Sequence, residues 1–556
     1  SSGKKQAKQA ERSGANIADL IGFTGIEEDL IQYGGKYYGA VLEISPVEFR
    51  FFSKHRRNNA IENGLGRVLR ALPPEYAANI VKIERPINYD TYRENEYKKL
   101  EELRHSYEQG FVSEEEFKAR SEVSLDRITE INGLCTDNKV IIPFYYLVLF
   151  DSDKGQLRNQ VNAALDFLNS AETPTRRLKD KELVLFLRYT NEIDFEEKDL
   201  DLIDPQDYAM WAMPDTADFK GKYVLVNHMI THNMRVTRYP TAVGDAWLAS
   251  VLSVPNTKVV IKCRPMDRTK SIRSIDRSLQ ELRGQYISTG VDSRRISLAN
   301  HIESLNLLLS MLQNENETLL ETNVYVTAYD IAATRAKAWM EQPGTSLRRS
   351  ISDFRQLLRR YYREAEMRLG NMEFDQKRAF IGSQISAYDP MVKTGQGIPS
   401  NSLAACYPWI FAHISDPGGI KLGSSEGIPT FIDFFRRDTE RVNSNMVIVG
   451  KTGSGKSYAA KSLLANLAAD DSKIFVLDPE NEYTELAENL HGKFINVGNA
   501  QQGRLNPFHI ISALEDDETE NIRNISSVKE FPLPLLFPLT RNFLPMQTIR
   551  SVSTVG

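Results

Sequence analysis

The run Gly450-Lys451-Thr452-Gly453-Ser454-Gly455-Lys456-Ser457 constrains this chain more than any other segment. It has the G-x-x-x-x-G-K-[ST] spacing of a phosphate-binding loop. Its flanks suit that reading. Residues 446–449, Met-Val-Ile-Val, form a short apolar run ending at Gly450, which predicts a buried parallel strand. Residues 458–468 are rich in Ala, Leu and Lys, which predicts a helix. Glycines let successive backbone N–H groups turn inward around a polyphosphate. The helix N-terminus adds unsatisfied donors and the positive end of a dipole. Lys456 is expected to reach the β- and γ-phosphates as the catalytic residue, and the Ser457 hydroxyl to ligate Mg²⁺. The candidate nucleotide-binding set is Gly450, Lys451, Thr452, Gly453, Ser454, Gly455, Lys456, Ser457 and Tyr458, with ATP and Mg²⁺ as the expected cofactors.

The 556 residues suffice for two or three domains. With 41% hydrophobic and 26% charged residues, the composition is that of a soluble globular protein. A net charge of -5 argues against bulk binding of a polyanion and leaves room for a local basic channel. Cys135, Cys263 and Cys406 have no paired spacing, which speaks against a disulfide framework or a cysteine-based zinc site. No apolar run is long enough for a transmembrane helix. The polar, basic start has no signal-peptide core and begins with Ser, so the sequence is expected to start inside a longer protein.

The expected fold class is α/β and α+β: a large α+β amino-terminal domain, then a truncated RecA-like P-loop NTPase domain. Residues 1–16 read as a disordered basic lead-in, 17–395 as the α+β domain, 396–525 as the incomplete NTPase domain and 526–556 as an atypical tail. Strands are expected over 37–52, 140–150, 223–236, 258–263 and 323–329. Helices are expected over 54–72, 268–286, 297–314 and 350–367. The charged stretch 93–132, broken at Gly110, reads as a helical hairpin projecting from the first domain. Near Gly395 the pattern changes to glycine-punctuated turns and then strand, helix, strand, the βαβ signature of a parallel sheet. After Glu530 there is no acidic residue, and Pro532, Pro534, Pro538 and Pro545 interrupt a Leu/Phe-rich run. Either the reading frame departs from the native one near Asn524, or the tail is a loop-rich extension.

Hydrolysis needs more than a phosphate loop: a second strand ending in Asp to organise Mg²⁺ and the attacking water. Residues 474–478, Ile-Phe-Val-Leu-Asp, have that shape but begin only 17 residues after Ser457, at the distance of the next strand in order. Asp478 is therefore expected to cap a helix over 481–489 rather than to hold metal. Glu480 and Glu482 either face the γ-phosphate region or lend favourable charge to that helix's first turn. No later apolar strand ends in Asp-Glu, and no Asn-Lys-x-Asp base-reading motif of a GTPase follows the loop.

The segment Asp416-Pro417-Gly418-Gly419-Ile420-Lys421-Leu422-Gly423, then Ile428-Pro429-Thr430-Phe431-Ile432-Asp433-Phe434-Phe435, then Asn445 and the loop, resembles the VirB-type/TraC/TrbE ATPases of conjugative type IV secretion systems. So do Leu477-Asp478-Pro479-Glu480-Asn481-Glu482-Tyr483 and Leu505-Asn506-Pro507-Phe508. The resemblance is dense over 405–510 and thinner over 20–400. It implies a hexameric ATPase, peripheral on the cytoplasmic face of the cell membrane. Its implied partners are further copies of itself and inner-membrane secretion-channel components, with DNA an indirect one. The family's magnesium-holding Asp-Glu strand and its arginine and glutamine motifs are absent here. The rival readings are a DNA-translocating ATPase of the coupling-protein or FtsK/HerA type, and a nucleotide-binding scaffold without catalysis.

Weaker patterns read as structure. Arg355, Arg359 and Arg363 form a basic stripe opposite the apolar stripe Ile351, Phe354, Leu358 and Tyr361, as on a solvated or subunit-facing helix. His228 and His232 lie on an expected strand with no Glu between them in the metalloprotease pattern, which does not make a metal pair.

Overall fold

The computed structural model describes residues 16–329, 367–496 and 551–555, apart from short interruptions at 48, 50–51, 88, 137–140, 194, 196, 205–206, 215, 228, 241–242, 315–316, 371, 410–413, 417, 426–427, 438–440 and 442. The chain divides into two compact units, Ser1–Ile87 with Ile141–Ala412, and Asn88–Val140 with His413–Gly556.

The first unit is built on one antiparallel sheet. Its strands are β1 (Phe23–Glu27), β2 (Leu30–Tyr33), β3 (Tyr37–Ile44), β4 (Ala78–Pro86), β5 (Ile141–Asp151), β6 (Thr175–Arg177), β7 (Ala217–Phe219), β8 (Val224–Val226), β9 (Met229–Arg238), β10 (Thr257–Pro265), β11 (Leu319–Tyr329), β12 (Arg368–Gly370) and β13 (Gln396–Pro399). The main path runs β1-β2-β3-β5-β4-β10-β11-β9-β8-β7, with β6, β12 and β13 pairing with β3, β9 and β11. Its central strands are apolar on both faces, because both faces are covered. Successive residues alternate between two cores: Leu147 and Leu149 of β5 and Val259 and Ile261 of β10 on one side, Tyr146, Val148 and Val260 on the other. The helix Lys154–Ser170 lies over the first core and Asp180–Tyr189 over the second. This is why 140–150 reads as a continuous apolar run and 259–261 as its apolar counterpart in β10, rather than as alternating patterns.

Most of the expected elements appear here. The strand expected over 223–236 is a hairpin of β8 and β9, turned at Asn227 with φ 49°. The strand expected over 37–52 ends at Ile44; Val47 and Phe49 continue into the core without sheet pairing. The helix expected at 350–367, with Arg355, Arg359 and Arg363, lies outside the described residues apart from its end. Among the described residues no helix is long and apolar enough to cross a membrane.

The second unit begins with α1 (Asp90–Glu108) and α2 (Glu114–Thr136), which turn at Gly110 with φ 77°. Tyr107 stacks on Phe117 next to the turn, with ring centroids 4.5 Å apart. The expectation that this hairpin projects from the first domain needs correction. It packs within the second unit, where Tyr92 of α1 meets Phe431 with ring centroids 4.4 Å apart. The unit continues with the hairpin β14 (Ile420–Ser425) and β15 (Ile428–Ile432), the helix α3 (Lys456–Ala469), β16 (Ile474–Asp478), the helix α4 (Thr484–Asn489), β17 (Lys493–Ile495) and β18 (Ser551–Val555).

The parallel sheet expected around the phosphate loop is also corrected. β18 lies between β16 and β17 and is antiparallel to both, so β16 and β17 run parallel to each other across it. Residues 446–449 form no strand; Val447 and Val449 are 84% and 87% exposed. A buried strand needs a ladder partner on its edge. β16, the neighbour expected for this run, pairs with β18 instead.

Candidate nucleotide-binding site

The phosphate loop is a turn closed onto a helix start. The Ser454 N–H donates to the Lys451 carbonyl at 3.1 Å, and Gly453 and Gly455 take φ of 78° and 86°. Only glycine adopts that left-handed backbone freely. Gly455 is the residue before α3, and Lys456 opens the helix. Gly450 is required for a different reason: a Cβ there would sit 2.4 Å from Ser454 Oγ and 3.3 Å from Lys456 Cγ. The loop therefore keeps a concave backbone at a helix N-terminus, where free N–H groups and the dipole favour an anion. Lys456 Nζ bends over the loop to the Lys451 carbonyl at 3.2 Å. Lys456 and Ser457 are half-buried, whereas Lys451, Thr452, Gly453, Ser454, Gly455 and Tyr458 are exposed. This cradle suits a polyphosphate, with Lys456 to neutralise charge and Ser457 to offer a hydroxyl to Mg²⁺.

Beside the loop, β16, α3 and α4 share a small apolar core of Ile474 and Ala487 with Leu464, Leu467, Val476 and Leu490. Asp478 ends β16 and is buried. Its carboxylate accepts from the Glu480 N–H at 3.2 Å and the Tyr483 N–H at 2.8 Å. It fixes the turn before α4 but is not the cap expected of it: the helix starts later, at Thr484, with Tyr483 as its N-cap and no side-chain capping bond. Glu480 and Glu482 are exposed. Tyr483 bridges back to α3, with Lys461 Nζ 5.6 Å from its ring centroid. Burial, with Glu482 and Asp478 adding repulsion, pushes the Tyr483 hydroxyl pKa up.

Two arrangements escaped sequence reading. The first surrounds Asp416, which is buried and accepts from the Asp433 N–H at 2.9 Å, Arg436 at 3.0 Å and both Arg441 nitrogens at 2.5 Å. Burial raises its pKa, but Arg441, the Asp433 N–H and Arg436 outweigh that and hold it below the usual carboxylate range. Next to it, Gly419 admits no side chain, since a Cβ would lie 2.7 Å from the Ile432 carbonyl carbon. The Asp-Pro-Gly-Gly motif thus anchors the β14–β15 hairpin.

The second lies at the far end of α3. Arg127 of α2 donates to the Asn466 carbonyl at 2.9 Å, to Asn466 Oδ1 at 3.0 Å and to Asp470 at 2.7 Å. Lys99 of α1 reaches Asp470 at 3.2 Å, and Arg120 reaches the Ala469 carbonyl at 3.0 Å. A signal for this was present: Asp470 directly follows α3, where an acidic group opposes the helix dipole and calls for a cationic partner.

Among the described residues no group of three or more His, Cys, Asp or Glu gathers as a metal site. His232 is buried with Nδ1 2.6 Å from the Lys222 carbonyl oxygen, and His228 lies outside the described residues.

Residues 422–531 match the family described as helicase HerA, central domain. An uncharacterised protein of Bacillus anthracis is 22% identical over 328 residues, 56% of this chain and 48% of that protein. Protein TraC of Escherichia coli (strain K12) is 27% identical over 137 residues, 25% of this chain and 15% of TraC. An uncharacterised protein of Aquifex aeolicus (strain VF5) is 38% identical over 66 residues, 12% of this chain and 24% of that protein. The chain spans less than half the length of each of these relatives. Together with the loop, the similarities support a P-loop ATPase of the TraC/HerA type, and such ATPases use nucleotide and Mg²⁺.

Proposed function

We propose that this chain is the ATP-binding motor component of a conjugative, type IV DNA-transfer apparatus, in which ATP hydrolysis powers assembly or substrate transfer. One observation carries the reading: a glycine loop closes onto the first residue of α3, Lys456, inside the stretch similar to the HerA central domain. Backbone N–H groups of the exposed residues 451–455, other than that of Ser454, which the Lys451 carbonyl accepts, would hold the polyphosphate with the Lys456 ammonium, and Ser457 would ligate Mg²⁺. When bound, Mg·ATP supplies the phosphoanhydride whose cleavage drives shape change. The protein's own part is to orient the β- and γ-phosphates and neutralise their charge. Hexamer formation, docking on inner-membrane secretion-channel components at the cytoplasmic face and indirect contact with DNA belong to the same proposal. They rest on the motif resemblance over 405–510.

The test is equilibrium binding of a fluorescent ATP analogue with Mg²⁺ to the wild type and to Lys456→Ala. We expect affinity to fall by about tenfold or more, the equivalent of one charge-assisted contact of about 1.5–3 kcal/mol. Unchanged affinity in a folded variant would remove the nucleotide site from this loop. The HerA similarity also favours a second reading, a DNA-translocating ATPase. Strong stimulation of hydrolysis by duplex DNA would select it, whereas indifference to DNA keeps the secretion motor.

A further inference from the structure

The phosphate loop occupies one end of α3, and the α1–α2 hairpin grips the other. α3 is 14 residues long, which is about 20 Å at 1.5 Å per residue. A single continuous helix of that length moves as a rod, so displacement at Lys456 is carried to Asn466 and Asp470. The carbonyls of a helix's last turn lack intrahelical donors. Here Arg127 supplies one for Asn466 and Arg120 one for Ala469. Arg127 also joins Asp470 to Glu96 of α1, at 2.7 Å and 3.4 Å, and Lys99 joins the same two carboxylates at 3.2 Å and 2.9 Å. The Arg127 and Glu96 side chains are only 14% and 7% exposed. In such surroundings charge-assisted bonds are strong and directional. The planar guanidinium fork of Arg127 holds the Asn466 carbonyl, its side-chain oxygen and Asp470 at once, which a lysine cannot do.

In sequence the hairpin is inserted between β4 and β5, whose end residues Pro86 and Ile141 are register partners.

We infer that Arg127 couples the end of α3 to the α1–α2 hairpin and that this hairpin is the element that reads nucleotide occupancy through α3. The inference rests on the assignment of Gly450–Ser457 as the nucleotide loop. Its test is hydrogen–deuterium exchange on the full chain, with and without Mg²⁺ and the β,γ-imido analogue of ATP.

In the wild type, the analogue should slow exchange both in the loop at 450–457 and in α2 around 120–130. In Arg127→Ala the loop should stay protected at the same analogue concentrations while the α2 response is lost. Arg127→Lys keeps the charge but not the fork and should restore only part of it. Should Arg127→Ala fail to fold, Asp470→Asn removes the same ion pair at nearly constant shape and should uncouple likewise. A bare helix cap would lower stability in these variants without separating the two responses. The inference is overturned if the wild-type loop is protected and α2 does not respond. It is equally overturned if the folded variants keep the α2 response. Absence of protection in the wild-type loop removes the nucleotide assignment itself, and the inference with it.

Discussion

At the scale of single residues, the chain places charge where it costs most and then satisfies it. Lys82 of β4 is buried and donates to Glu84 at 2.6 Å and to the Val254 and Thr257 carbonyls at 3.0 and 2.8 Å. Lys258 of β10 is buried and donates to the Thr190 carbonyl at 2.7 Å. Burial, with repulsion from Lys262, lowers the Lys258 pKa from 10.5 to about 7. Between those values the unfolded chain binds more protons than the folded one, so this group makes the unfolding free energy rise with pH across that window. Burial also lowers Lys262, to about 8, in the same sense. Lys258→Met should therefore reduce the pH slope of urea unfolding between pH 7 and 10, with its stability relative to the wild type greatest near pH 7. Identical slopes in the two proteins would mean that Lys258 is not buried as a titrating group.

At the scale of elements, packing decides more than propensity. The short helix Gln376–Gly382 lies against β11 at a glycine because nothing larger fits: a Cβ on Gly382 would sit 2.3 Å from the Tyr325 ring. Tyr325 cannot give way easily, since it is fully buried and its hydroxyl donates to Asp389 at 2.5 Å. Gly382→Ala should cost about 1–3 kcal/mol through overpacking, seen as a lower denaturant midpoint at unchanged m-value. An unchanged midpoint would show that the helix can shift off the sheet. The run 446–449 teaches the converse lesson. Its apolar composition is that of a strand, yet Val447 and Val449 face solvent because composition cannot supply the ladder partner.

For the whole molecule, the chain does not follow its own order. It leaves the first unit after Ile87, forms the hairpin of the second, and returns at Ile141. Because Pro86 and Ile141 are register partners, residues 88–140 can be replaced by a short Gly-containing hairpin turn without altering the β4–β5 ladder. Calorimetry of that variant should show the first unit's transition unchanged and the second's lowered, since Phe431, Lys421 and the end of α3 lose Tyr92, Glu130 and Arg127. Loss of the first unit's transition would show that the hairpin is needed for its fold.

The sequence by itself determined the glycine turn that closes onto α3, because Gly450, Gly453 and Gly455 act through local backbone geometry and spacing, which a linear pattern records. It also determined the central strands β5, β10 and β11 and the α1–α2 hairpin, through apolar runs and a charged stretch broken at Gly110. Only the tertiary structure decided where that hairpin belongs, which strand pairs with β16, that Asp416 gathers Arg436 and Arg441, and that Asp470 gathers Arg127 and Lys99. These depend on long-range partners, such as Arg127 and Asp470, whose matching charges are too common along the chain to identify each other before folding brings them within 2.7 Å.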